Sequence, residues 1–313
     1  MATVLQKLRR ATTQFAIRQA IASSAILPAG VQRSIINTVV SFAGRIPMLR
    51  SRVRENMCLA LGQGVPAQSE ERYFSHINWV ICNSLLTFHH GIEATPVLEE
   101  VKLDDSIHLL DDAVAEGRGV VLAFGHWLGH ELVAGVINRR HPMTIVARSA
   151  ATPDRAARKL KWYRALGTEI ILRPNRASTF KGFVAYLNVL KKGGVLAIMP
   201  DLLADSGQGV ETRIFGRPAR LHSGAFALAI AAKAPMIRFY LRWQSDSSVV
   251  AMFDRASTII DASSRDSAIR AGVDDWSRWF EEKLRADPEN WLFWLDKRWS
   301  RFFRGSPRTS GGN

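Results

Sequence analysis

His126, His130 and Glu131 fall where an apolar run ends, in the stretch VVLAFGHWLGHELVAGV at 120–136. Read as a buried strand turning into a helix, this stretch places His126 just beyond the carboxyl end of the strand, where reacting groups gather in open α/β sheets. Gly125 is expected to permit a tight turn there. Glu131 follows His126 by five positions, an H-x4-E spacing, so a glutamate in the first helical turn can reach back to the imidazole. A carboxylate held on one ring nitrogen fixes the tautomer and makes the ring more basic, and the other nitrogen can then take the proton of an attacking hydroxyl. No serine or cysteine stands beside His126 to act as a covalent nucleophile, which favours direct transfer over a covalent intermediate.

The same residues admit other readings. His130 and Glu131 suit a solvated helix start, with His126 as a cap. His126 and His130 are also four apart, the spacing of a zinc-binding helix, but the H-E-x-x-H order is absent and no third ligand declares itself; no metal and no cofactor is expected. Asp201 follows the apolar run GVLAIM at 194–199, which in the usual doubly wound order lies beside the first strand. It can support His126 in place of Glu131 or together with it, or simply cap the next segment. Ser223 and Gly224 open a small-residue helix, where free N–H groups favour an anion and where ordinary capping is the alternative. Arg148, Arg155, Arg158, Lys159, Lys161 and Arg164 lie in or beside the segment after the second strand, as receivers of phosphate or as a solvated face. Arg164 stands apart because it immediately precedes the third strand.

The elements that must position these groups follow from the apolar pattern. Residues 1–100 are helical in period, as in ERYFSHINWVICNSLLTFHHGI. From about 101 the pattern becomes short apolar runs punctuated by glycine: GVVLAF at 119–124, MTIVA at 143–147, TEIIL at 168–172 and GVLAIM at 194–199. Helical stretches at 129–139, 153–166 and 178–192 alternate with them, which implies an α/β sheet covered on both faces. A polar loop is expected over 203–213, then the helix SGAFALAIAAKA, two more strands in MIRFYLRW and SVVAMF, and a tryptophan-rich helical region over 265–304. The tryptophans of WLFWLDKRW fall at helical spacing, which suits a core or a membrane interface better than nucleic-acid stacking. No repeat or low-complexity linker is present. The division expected is a helical, membrane-associating region at 1–100, an α/β domain at 101–304 and a disordered tail at 305–313.

Composition narrows the partners. The 313 residues include 47% apolar and 22% charged side chains, an ordinary globular balance. Cys58 and Cys82 are too few for a disulfide framework and suit a reducing compartment. The formal net charge of +14 should attract phosphate or an anionic surface. Nine of the basic residues lie between Met1 and Arg54, where no acidic residue occurs before Glu55. Interleaved with apolar residues, they describe a basic amphipathic segment lying on anionic lipid. A mitochondrial-type transit peptide shares this composition, as does a basic helix packed on the domain. No run approaches the roughly 18 apolar residues of a spanning helix.

Three blocks carry a resemblance: GRGVVLAFGHWLGHELVAGV, GGVLAIMPDLLADSGQGVETRIFGRPARLHSGAFALAIAAKAPMI and ENWLFWLDKRWS. With RVRENMCLAL, whose arginine precedes an asparagine by a few residues, they resemble the bacterial lipid A biosynthesis acyltransferases. These are the lauroyl and myristoyl transferases, with the related phosphatidylinositol mannoside acyltransferases, and the likeness runs from about Arg52 to Arg301. The resemblance implies a glycerol-3-phosphate acyltransferase-like mixed sheet flanked by helices, with an N-terminal helical membrane-binding segment. It implies transfer of a fatty acyl chain from acyl carrier protein or coenzyme A to a hydroxyl of a lipid or glycolipid precursor. His126 and Glu131 would be the catalytic pair, with Asp201 kept from the P-D block and Arg148 and Arg164 as substrate arginines. The place implied is the cytoplasmic face of the inner membrane, peripheral or monotopic, with no nucleic-acid partner. The chain departs from the pattern at RSAATPDRAARK, where Asn-Pro often follows the arginine, and after Asp201, where the lauroyl transferases carry aromatic residues. A thioesterase-like or metal-dependent hydrolase and a non-catalytic basic membrane-binding protein are the rival readings.

Overall fold

The computed structural model describes residues 26–150, 152–173, 179–205, 207–244, 248–256 and 264–305. The basic stretch at 1–25 and the expected tail, from 306 on, lie outside them. Helices come first: α1 (Ala29–Arg45), α2 (Pro47–Leu61), α3 (Ser69–His90) and the single turn α4 (Val97–Glu100). The chain then enters β1 (Val101–Leu103), a three-residue strand too short to show in the apolar pattern, and α5 (His108–Ala115).

The alternation read from the sequence follows. β2 (Val120–Phe124), α6 (His130–Arg140), β3 (Met143–Arg148), α7 (Pro153–Ala165), β4 (Glu169–Arg173), α8 (Thr179–Lys191) and β5 (Val195–Ile198) succeed one another. Where a polar loop was expected, the chain instead forms a hairpin of β6 (Val210–Ile214) and β7 (Arg217–Leu221). Its two-residue turn puts Phe215 and Gly216 at positive φ, as the right-handed twist of a tight hairpin requires. Phe215 tolerates this left-handed conformation because its ring is buried against Phe280, Trp291, Trp299 and Phe303. Then come α9 (Gly224–Ala232), β8 (Met236–Trp243), β9 (Val249–Arg255), α10 (Arg265–Ala286) and α11 (Lys297–Phe303).

Seven strands make one mixed sheet in the order β1-β9-β8-β2-β5-β3-β4. β8, β2, β5, β3 and β4 run parallel, while β9 is antiparallel to β8 and carries β1 parallel to itself. All five residues of β2 are buried, as a strand covered on both faces must be. Gly119 admits the chain to this strand: it has φ +72°, and a Cβ there would stand 2.4 Å from the Leu190 carbonyl oxygen.

The tryptophan-rich end is not one helix. Between α10 and α11 the chain breaks into 3₁₀ turns at Pro288–Asn290 and Leu292–Leu295 and crosses the carboxyl end of β2 as a strap. Trp276, Trp291, Trp294 and Trp299 are fully buried, so these rings close a core. The N-terminal helices grip the strap from the other side: buried Asn56 donates to the Trp294 carbonyl at 2.6 Å and to Ser300 Oγ at 2.9 Å. No described helix is long and apolar enough to cross a membrane.

Two outcomes follow. Asn56→Ala strands the Trp294 carbonyl in the core and is expected to cost about 1–3 kcal/mol, read as a lower urea midpoint at unchanged slope. His76 stacks on Trp243 at 4.0 Å, and burial, then the nearby Arg72 charge, lower its pKa to about 3. Above about pH 6.5 it is neutral folded and unfolded; below that only the unfolded chain takes the proton, so stability falls by about 1.4 kcal/mol per pH unit down to about pH 3. His76→Phe should remove that part of the slope when unfolding at pH 7 and pH 5 is compared.

Candidate active site

β2 ends at Phe124 and the chain leaves the sheet through Gly125. The expected tight turn is present, with the Trp127 N–H donating to the Gly125 carbonyl at 2.7 Å; Gly125 itself does not lie at positive φ, and what demands a glycine is contact, since a Cβ would stand 2.6 Å from the Phe280 ring. Gly129, at φ +89°, makes the actual turn into α6. His126 therefore sits on a short bridge between strand and helix. The strap fastens that bridge through Leu128 N–H to the Asn290 carbonyl at 2.7 Å and Leu292 N–H to the His126 carbonyl at 2.9 Å.

The carboxylate on His126 is Asp201. Nδ1 lies 2.5 Å from Asp201 Oδ1, and the His126 backbone N–H donates to Oδ2 at 2.8 Å. Trp291 Nε1 also donates to Oδ2, at 2.9 Å. β5 pairs with β2, which is what brings Asp201, just past the end of β5, to this point. Asp201 has no exposed surface. Burial alone would raise its pKa, but the charge and hydrogen bonds of His126, with the Trp291 N–H, outweigh it and hold the carboxyl below its ordinary value. An ionised Asp201 accepts, so Nδ1 carries a hydrogen and Nε2 is the nitrogen left for chemistry. The His126 side chain is 16% exposed, and no described residue hydrogen-bonds Nε2. Phe293 covers one side of the ring at 4.5 Å between centroids.

Glu131 does not reach the imidazole. Its two oxygens accept from Tyr163 Oη at 2.6 Å and Trp162 Nε1 at 2.9 Å, so the expected H-x4-E contact is replaced by a clamp between α6 and α7. Geometry explains the difference: Gly129 turns the chain so that the first residue of α6, His130, is the one that faces inward. His130 is buried, donates from Nδ1 to the Trp127 carbonyl at 2.7 Å and packs edge-on against His126. Burial, then the neighbouring His126, lower its pKa and keep it neutral. Burial, then Glu131, raise the Tyr163 pKa, so its hydroxyl stays a donor. Among the described residues no group of three or more His, Cys, Asp or Glu could hold a metal ion.

The other expected residues divide. Arg148 ends β3 on the same edge of the sheet as His126, and Lys159 donates to its carbonyl at 2.8 Å. Ser223 and Gly224 also lie on this edge, at the start of α9, though the Ser223 side chain makes no capping bond. Arg164 does not join them. It occupies the last turn of α7, which leads into the amino end of β4, so it stands on the far edge of the sheet. Sequence reasoning missed Trp291 and Phe293 as neighbours of His126, and no local signal tied position 291 to 126. It also missed Arg173, which ends β4 in register with Arg148.

The family model described as bacterial lipid A biosynthesis acyltransferase matches residues 2–301. No curated protein matches the chain. The match takes in both sides of the His126–Asp201 contact and the strap that completes it, and the chain belongs to the bacterial lipid A biosynthesis acyltransferase family.

Proposed function

We propose that this acyltransferase moves a fatty acyl chain from an acyl thioester, carried by acyl carrier protein or coenzyme A, to a hydroxyl of a lipid or glycolipid precursor. One observation carries the reading: an imidazole at the strand end held through Nδ1 by a buried carboxylate, with Nε2 left open. His126 takes the acceptor hydroxyl's proton at Nε2 as that oxygen attacks the thioester carbonyl. The carbon–sulfur bond then breaks, and the leaving thiolate takes the proton back from the imidazolium. Asp201 stabilises the imidazolium and fixes the ring, a division of labour familiar from histidine–carboxylate pairs. Glu131 is a positioning residue that holds α7 to α6.

His126→Ala is expected to lower the transfer rate about 10²- to 10⁴-fold in a folded protein, and Asp201→Asn to act mainly on kcat. Glu131→Gln should cost less and act mainly on KM, because it loosens α7 and leaves the Asp201 contact in place. Radiolabelled acyl transfer measures all three; a Glu131→Gln loss in kcat matching that of Asp201→Asn would restore Glu131 to the imidazole. Free fatty acid released without acylated lipid would favour the hydrolase reading.

The family resemblance implies the cytoplasmic face of the inner membrane, and contact with a membrane surface is supported by α1. One face of this helix packs on α3, while Val31, Ile35, Val39 and Phe42 are exposed along the other, with Met48 following in α2. Arg33, Arg45, Arg50 and Arg52 accompany this stripe. An apolar row beside cations is the composition of a surface that lies on anionic lipid. Replacing Val39 and Phe42 together by glutamate should weaken binding to anionic vesicles about tenfold or more, with neutral vesicles bound poorly throughout. Unchanged binding in a cosedimentation assay would place the attachment elsewhere.

A further inference from the structure

The amino edge of the sheet, opposite the edge that carries His126, holds a cavity of about 560 Å³ between α9, α10 and the start of β8. Small-molecule sites span about 300–1,000 Å³, so the space is of that order. Met236, in its wall, stands level with Val121 of β2, five residues before His126. At about 3.3 Å per strand residue, roughly 15 Å of sheet separates the cavity from the imidazole. Phe226, Ile230, Met236 and Trp276 make the wall apolar, and Ala229 leaves room that a larger side chain would fill.

The rim carries charge. Arg118, Lys233 and Arg255 line the cavity and are exposed. One carboxylate, Glu116, serves both arginines, with Arg255 Nη2 donating to it at 2.5 Å. Arg118 is fixed further by donating to the Lys233 carbonyl at 2.7 Å. Asp275 is the acid of the lining, and buried Arg238 already meets it at 2.8 Å. Lys233 makes no ion pair or side-chain hydrogen bond with a described residue. It also caps α9 at φ +52°, the left-handed conformation that favours glycine, so its ammonium is kept at the rim against a backbone preference. An apolar wall favours a hydrocarbon chain by removing it from water, and three cations set against Glu116 favour an anionic head.

We propose that this cavity is a second ligand site, separate from the reacting edge, which takes a single-chain amphiphile with one anionic head. The chain lies against the apolar wall and the head meets Lys233 and Arg255. The site stands independently of the role given to His126. Carboxylate and phosphate heads share this chemistry, and suitable probes separate them.

Isothermal titration of the full chain at low salt would compare octanoate and octyl phosphate with octanol and octylammonium. At least one anion should bind about tenfold or more tightly than the uncharged and cationic probes, and the better anion names the head. Lys233→Gly relieves the backbone while removing the cation. It should therefore melt at or above wild type yet lose about tenfold of the anion preference, and Lys233→Arg should keep that preference. Ala229→Phe, which fills the space, should abolish anion binding, and His126→Ala should leave it unchanged. Absence of binding by either anion, octanol bound as tightly as both, or a Lys233→Gly chain that keeps the preference would overturn the site. So would octanoate acting as a competitive inhibitor against the acyl thioester, since the cavity would then belong to the donor's own chain.

Discussion

Asp201 has no contact with water, and a carboxylate in that position must receive hydrogen bonds or lose its charge. It receives three, from the His126 backbone, the His126 ring and the Trp291 indole. These donors come from the end of one strand and from the strap after α10, while the acceptor comes from the end of another strand. Much of the architecture reads as the means of bringing them together. β5 beside β2 sets the depth of the carboxylate, the absent side chain at Gly125 lets Phe280 pack under the bridge, and the aromatic cluster around Phe215 and Trp291 fixes the strap. Asn56 then ties the strap to the N-terminal helices.

Two carboxylates near one imidazole would compete for it, and the fold separates them. Glu131 is turned outward onto Tyr163 and Trp162, and Asp201 alone meets the ring. The inward place at the start of α6 goes to His130, whose Nδ1 is spent on a backbone carbonyl. The result is one polarised imidazole beside one neutral one.

The buried strands were legible because a strand covered on both faces needs an unbroken apolar run, and VVLAF and VLAI are such runs. His126 was legible by its place after the first of them. The partner of His126 was not settled by spacing, because Glu131 and Asp201 lie 5 and 75 residues away and only strand order and the turn at Gly129 decide between them. The hairpin at 210–221 was missed, its first strand falling largely in the loop expected at 203–213, because its strands are half-exposed and rich in arginine. The strap read as helix because its tryptophans keep helical spacing while the backbone tightens into 3₁₀ turns. Arg164 was singled out because it immediately precedes a strand, and the place before a parallel strand is the amino edge of the sheet, which α7 reaches there.

The strap also sets an order of assembly. Trp291 is 90 residues downstream of the carboxylate it completes. At a synthesis rate of roughly 5–20 residues per second, that interval is on the order of ten seconds during which the sheet can form around Asp201 with one donor still unmade. A nascent chain in that interval has its histidine and its carboxylate but not the indole and aromatic cover that seal them. The ring therefore acquires its full environment only after residue 291 has been made, later than the strand pair that brings His126 to Asp201.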